Sequence, residues 1–245
     1  MRRMVGISVG LVTHALFAVT VWHLFWFLQG GVRHERGALW IDLLLALQFA
    51  VVHSLLLLPA VRRRLERWIP AAFYGLFFCI TACLGLLFVM MQWRSSSLVI
   101  WQATGSGSIA VDVAFAAGWP ALIYSLYLSG LGYQTGWTAW WHWLRRLPEP
   151  RRQFRPRSAY RIMRHPVYLC FLGLIWFVPT VTLDRAVLIA IWTGYVFVGS
   201  YLKDRRLGYY LGSRYRKYQA RVPGYPGMIF GPLARVPWHQ KPASE

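Results

Sequence analysis

A succession of long apolar runs constrains this chain more than any other feature. Residues 4–29, 39–61, 69–93 and 109–134 carry almost no charge, and each exceeds the roughly 20 helical residues that cross about 30 Å of hydrocarbon. No water reaches the middle of a bilayer, so backbone N–H and C=O groups there must be satisfied within the segment, which makes each run a helix. With 57% hydrophobic and 14% charged residues over a length of 245, the chain holds more apolar surface than a soluble core of that size hides, which argues against a soluble enzyme. The first run follows Arg2 and Arg3 and lacks a small-residue cleavage site, so it reads as a retained helix and not a leader.

The formal charge of +19 would suggest nucleic acid in a soluble protein. Here the basic residues fall in short blocks between apolar runs, and topology explains them better. Arg2 and Arg3, then Arg62, Arg63, Arg64 and Arg67, then Arg145 to Arg164 and the tail collect on one side, whereas the other side holds only Arg33, Arg36, Arg94 and Arg185. The positive-inside bias places both termini in the cytoplasm, with a bacterial inner membrane as the expected location and no nucleic-acid partner. Asp42 and Asp112 then read as caps at the outer N-terminal ends of the second and fourth helices.

Tyr168 to Leu202 is apolar but interrupted by Pro179, Thr180, Thr182, Asp184 and Arg185, which predicts a helical hairpin with two arms short for independent crossings. Its charged turn reaches the far interface only if the arms tilt or pack deeply. Trp137, Trp140, Trp141 and Leu144 recur at helical spacing. They fit either a helix lying in the headgroup region or an aromatic belt that extends the fourth helix. Pro148, Pro150 and Pro156, among five arginines from Arg146 to Arg157, predict an irregular cytoplasmic loop. The fold class is therefore all-α: a polytopic membrane protein of four transmembrane helices, a C-terminal hairpin and a basic tail. Its expected divisions are 1–134, 135–167 and 168–245.

Cys79, Cys83 and Cys170 lie in apolar segments without the spacing of a disulfide framework or a zinc site. His14, His23 and His53 fall within spans, where an ionisable side chain is a functional candidate. A haem held by His14 and His53 is the sharp reading and interhelical hydrogen bonding the plainer one; His14 and His23, nine residues apart on one helix, are about 13.5 Å distant along it, too far to share a haem. A denser group is Tyr160, Arg161, Arg164, His165, Pro166 and Tyr168, followed by Lys203, Asp204, Arg205, Tyr215, Tyr218, Arg221, Val222 and Pro223. Snorkelling arginines and interfacial tyrosines account for many of these singly. They do not require Arg-His-Pro-x-Tyr at the mouth of a hairpin whose second arm ends in charge.

The order Arg164-His165-Pro166-Val167-Tyr168, hairpin, Tyr215-x-x-Tyr218-x-x-Arg221-Val222-Pro223 resembles the membrane methyltransferases typified by isoprenylcysteine carboxyl methyltransferase. Phe177-Val178-Pro179-Thr180 and the stretch from Gln48 to Ser54 are most similar to the branch that contains methanethiol S-methyltransferase and nurim. The resemblance implies S-adenosylmethionine bound between hairpin and tail, with a small or lipophilic thiol or carboxylate acceptor arriving from the membrane lipid. It assigns catalysis to Asp204 and Arg164, and cofactor binding to His165, Pro166, Tyr168, Tyr215, Tyr218 and Arg221. The chemistry agrees: the cofactor's carboxylate seeks Arg or His, and its sulfonium seeks aromatic faces or a carboxylate. Two departures stand out, Cys170 where the family has glycine, and Lys203-Asp204 where it has a pair of glutamates. Nurim-like proteins keep the scaffold without that acidic pair, so a non-catalytic structural or interaction protein is the alternative.

Overall fold

A computed structural model describes residues 2–30, 39–148, 150 and 153–237. Arg33, Arg36, Arg151 and Arg152, counted above for topology, lie outside the described residues. The chain runs α1 (Arg2–Gln29), α2 (Leu39–Leu56), α3 (Pro59–Leu65), α4 (Ala71–Gln92), β1 (Val99–Gln102), α5 (Ser106–Ser129), α6 (Leu131–Gln134) and α7 (Trp137–Arg145). A 3-10 turn at Ser158–Arg161 leads to α8 (Pro166–Trp176), β2 (Thr180–Thr182), α9 (Leu183–Leu211) and α10 (Ser213–Arg221). The all-α membrane architecture is as expected: among the described residues, α1, α2, α4, α5 and α9 are long and apolar enough to cross a membrane.

Several boundaries differ from the sequence reading for local reasons. The second helix stops at Leu56 because Pro59 disfavours a helical residue before it and restarts the chain as α3. The fourth span ends at Ser129, where Gly130 turns left-handed at φ 86°. Asp42 sits in the first turn of α2 as read, and its Oδ1 also accepts the backbone N–H of Arg94, 3.1 Å away beyond the end of α4. Asp112 does not cap its helix: α5 begins at Ser106, which leaves Asp112 exposed in the second turn.

The hairpin is unequal. Its first arm, α8, is short, but α9 continues as one helix through Lys203 and Asp204 for 29 residues, about 43 Å. Only the first arm therefore falls short of a crossing. The hairpin tip is fixed by β2, which pairs antiparallel with β1 in the α4–α5 linker. Asp184 accepts from Trp93 Nε1 and the Ser96 amide, both at 2.9 Å. Next to it, Arg185 donates to the Leu28 carbonyl at 2.7 Å and to that of Phe27. The tip thus lies level with the ends of α1 and α4, and both charges of the turn are buried.

The tryptophan-rich segment is a separate helix, α7, and packs against protein instead of floating beside it. Gly136, at φ 81°, starts it in a new direction. Trp140 is buried, and its Nε1 donates to the Gly6 carbonyl at 2.8 Å. A Cβ on Gly10 would lie 2.0 Å from the Trp140 ring, so the small residues of α1 make the slot that the indole fills. At the next contact, Gly75 and Gly136 bring two backbones together: a Cβ on Gly136 would lie 2.3 Å from the Leu76 nitrogen. Gly136→Ala is expected to destabilise the protein by about 2 kcal/mol in a detergent thermal melt, because a backbone clash adds to a strained φ. Gly107→Ala, whose Cβ meets nothing within 4 Å, is expected to leave the melting temperature unchanged or slightly higher.

Candidate active site

The site starts from one proline. Pro166 occupies the first turn of α8, where its missing N–H costs nothing, and this places His165 at the helix entrance. The two residues before it pair with the tail: Arg164 N–H donates to the Pro223 carbonyl at 2.9 Å and His165 N–H to that of Gly224 at 3.1 Å. Gly224 in turn donates to the Leu233 carbonyl at 2.6 Å. A Cβ there would press on that oxygen at 2.7 Å, so position 224 accepts only glycine without rearrangement.

Arg164 is 2% exposed, and its guanidinium is engaged entirely by protein. Nε and one terminal nitrogen reach Asp204 Oδ2 at 3.0 and 2.8 Å. The other terminal nitrogen donates to the carbonyls of Val222 at 2.6 Å and Ala234 at 3.0 Å, with Gln219 at the margin, and the nitrogen that meets Asp204 also reaches the Pro232 carbonyl at 3.5 Å. Asp204, 3% exposed, is filled from its second oxygen by the Tyr215 hydroxyl. Tyr218 donates to the Tyr160 carbonyl, and Phe154 packs edge-on against both tyrosine rings. Burial and the adjacent Asp204 carboxylate raise the Tyr215 hydroxyl well above its usual range, so it stays a donor. Burial likewise raises Tyr218.

His165 differs from its neighbours. Its ring is fully buried between Tyr168 and Tyr225, with both centroids 5.6 Å away. Nε2 lies 3.2 Å from Asp204 Oδ1, close enough for charge attraction but outside hydrogen-bond geometry, and Nδ1 also has no hydrogen-bond partner. Burial lowers its pKa more than Asp204 raises it, so the imidazole is neutral and polar at neutral pH. Lys203 sets its ammonium over the Tyr168 ring, 5.0 Å from the centroid.

The structure thus brings Arg164, His165, Pro166, Tyr168, Asp204, Tyr215 and Tyr218 together, and leaves Arg221 exposed at the end of α10. The sequence reading passed over Tyr225, which shares a hydrogen bond with Ser200 of α9 and closes one face of His165. It also passed over Arg206, which donates to the Leu57 carbonyl just beyond α2 at 3.3 Å. Nothing local distinguishes either residue; each sits one or two positions past a residue that stood out. His14 packs on Trp137 and Trp140 of α7, whereas His53 packs on Phe49, Phe78 and Tyr195.

Removing one partner of a buried ion pair strands the other charge. Arg164→Ala is expected to cost about 4 kcal/mol and to make residues 222–234 susceptible to limited proteolysis. Arg164→Lys also destabilises, because an ammonium cannot span a carboxylate and two carbonyls in one plane. His165 titrates lower folded than unfolded, so stability is complete above about pH 6.5 and declines as pH falls below it, where the unfolded chain gains a proton the folded one does not. His165→Gln is expected to flatten that part of the melting-temperature profile between pH 7.5 and 5.

No protein-family model and no solved structure matches the chain significantly. Methanethiol S-methyltransferase 1 of Bradyrhizobium diazoefficiens is 31% identical over 239 residues, covering 87% of this chain and 79% of that protein. The methanethiol S-methyltransferase of Pseudomonas sp. GM41(2012) is 25% identical over 90% of this chain and 89% of its own length. Rat nurim is 28% identical over 73% of this chain and 71% of its own. Identity of this extent over most of the chain means that it belongs to the membrane methyltransferase family of methanethiol S-methyltransferases and nurim.

Proposed function

We propose that this protein transfers a methyl group from S-adenosylmethionine to a small thiol of the methanethiol class, at the cytoplasmic face of a bacterial inner membrane. One observation carries the reading: a buried imidazole with no hydrogen-bond partner, held between two tyrosine faces at the mouth of a membrane hairpin. Tyr168 and Tyr225 offer aromatic faces to a sulfonium, His165 offers a polar nitrogen, and Arg221 at the end of α10 offers a counter-charge to a carboxylate. When bound, the cofactor supplies an electrophilic methyl group.

The protein's own part is alignment and exclusion of water, since an in-line displacement needs little covalent help. Arg164 and Asp204 act by position. Their hydrogen bonds hold the entrance of α8 against the tail, and so hold His165 between its tyrosines. Tyr215 and Tyr218 secure α10 to the same frame. The S-methyltransferase names of the bacterial relatives favour a thiol over a carboxylate acceptor.

Lys203 favours a second reading. Its ammonium covers a face of Tyr168, a cation where the resemblance expects an acid, which suits a nurim-like protein that keeps the scaffold without the reaction. Calorimetry in nanodiscs is expected to show S-adenosylhomocysteine binding in the micromolar range, about −8 kcal/mol. His165→Ala is expected to weaken it by tenfold or more. Absence of heat from the parent protein would count against the cofactor. Methyl transfer that appears only after Lys203→Glu would identify the parent as the non-catalytic form.

A further inference from the structure

A helix ends on carbonyls that have no donors of their own, and that end repels an anion. The end of α7 is different, because its carbonyls are already taken. The Leu147 N–H donates to the His142 carbonyl at 2.9 Å and the Arg146 N–H to that of Trp143 at 3.2 Å, the two bonds of a Schellman motif. Arg3 of α1 covers a third carbonyl, that of Leu144, at 3.3 Å. The left-handed position that closes such a motif usually holds glycine; here it holds Arg146, at φ 56°. A cation thus stands where glycine would fit with less strain.

Packing sets the level of this end in the membrane. Trp137 packs on His14, Trp140 donates to Gly6, and Leu144 meets Arg3. His14 and Arg3 are separated by about 16 Å of helix, so α7 rises along α1 from within the span to its first turn, where lipid headgroups lie. Between the start of α1 and the end of α7 is a crevice of about 480 Å³, lined by Arg3, His142, Trp143, Arg146 and Leu147. A water takes about 30 Å³ in the liquid, so the crevice has room for a headgroup. Both arginines are exposed, and none of the five residues is acidic. His142 Nδ1 donates to the Thr138 carbonyl at 2.7 Å, and Arg145 lies over the Trp141 ring at 4.7 Å. Arg3 and Arg146 are therefore the cations that the crevice presents. Trp143 is fixed as its wall: the ring meets Phe73 edge-on at 4.8 Å and covers Gly6, where a Cβ would lie 2.3 Å from it.

We infer that this crevice binds the headgroup phosphate of an anionic phospholipid, such as phosphatidylglycerol, from the leaflet on the side of the α1 N-terminus. Two guanidiniums offer forked donors to a phosphodiester, and basic pockets between helices at this level are suited to anionic headgroups. The capped carbonyls remove the repulsion that a bare helix end would add. Trp143 and Leu147, the latter 54% exposed, offer apolar surface to the glycerol and the first methylenes of the chains. A zwitterionic headgroup is disfavoured, because it brings a quaternary ammonium toward the same two arginines. A lipid held by Arg3 and Arg146 clasps the start of α1 to the end of α7.

The test titrates the full-length protein in neutral detergent with dioleoyl phosphatidylglycerol or dioleoyl phosphatidylcholine and reads the first bound lipid by native mass spectrometry. Phosphatidylglycerol is expected to bind about tenfold tighter. Arg146→Gly removes the charge but suits the positive φ, so it is expected to melt no lower than the parent and to bind phosphatidylglycerol about fivefold more weakly. Arg3→Gln is expected to weaken it by about as much. Arg63→Gln, exposed on α3, removes an equal charge away from the crevice and is expected to bind within about twofold of the parent. Equal losses from Arg63→Gln and Arg146→Gly would show a diffuse attraction to the basic face and overturn the inference. Phosphatidylcholine bound as tightly as phosphatidylglycerol would overturn it too, and inorganic phosphate bound as tightly would make the occupant a free anion and not a lipid.

Discussion

Arg164 and Asp204 form a buried ion pair on which the whole C-terminal half depends. Taking two charges out of water costs several kcal/mol for each, and Coulomb attraction alone does not reliably return it. Here the remaining hydrogen-bonding capacity is also used: the guanidinium reaches backbone carbonyls of the tail, and the carboxylate receives the Tyr215 hydroxyl. One pair therefore ties together α9, the entrance of α8, α10 and the tail to Ala234. It gives geometric specificity more than net stability. The segment from Pro223 to Ala234 has no regular secondary structure to define its path, and the arginine's fixed fork defines it instead.

The other end of the hairpin uses the same device. Asp184 and Arg185 are adjacent and buried, yet they serve different partners: one receives donors from the α4–α5 linker, the other donates to the last carbonyls of α1. Helix C-terminal carbonyls have no intrahelical donors and favour a cation. The short α8 is thus pinned at both ends, and Gly118 of α5, where a Cβ would lie 2.8 Å from Leu174, lets it pack closely along its length. Where burial of apolar surface gains little because the surroundings are lipid, close backbone contact and satisfied polar groups carry the specificity of the fold.

Within this frame the residues divide by what remains open on them. Arg164, Asp204, Tyr215 and Tyr218 have their polar atoms engaged by protein, and they act by position. His165 and His53 keep buried nitrogens without hydrogen-bond partners, and Tyr168 keeps an aromatic face in contact with a cation. An unbonded buried nitrogen costs free energy in the absence of a ligand, and two of them lie on elements joined through α9. Lys203 places a cation on the Tyr168 face beside them.

The sequence by itself determined the membrane, the four long spans, the hairpin and the cluster that the tail closes upon, because chain length against bilayer thickness and the spacing of Arg164, His165 and Tyr168 are local properties. It also singled out His53, as one of three histidines within spans and a candidate haem ligand. Only the tertiary structure decided that α9 is one long helix and that the charged turn is buried, since the partners of Asp184 and Arg185 at Trp93, Ser96 and Leu28 lie far away in the chain. Likewise, only packing decided that α7 docks on α1 and α4, because the space Trp140 fills lies over Gly10 and its acceptor is the Gly6 carbonyl, more than a hundred residues earlier. That the Arg164 side chain is bonded to the tail while the His165 ring nitrogens have no hydrogen-bond partner is a fact about bond geometry between distant segments, and no spacing along the chain encodes it.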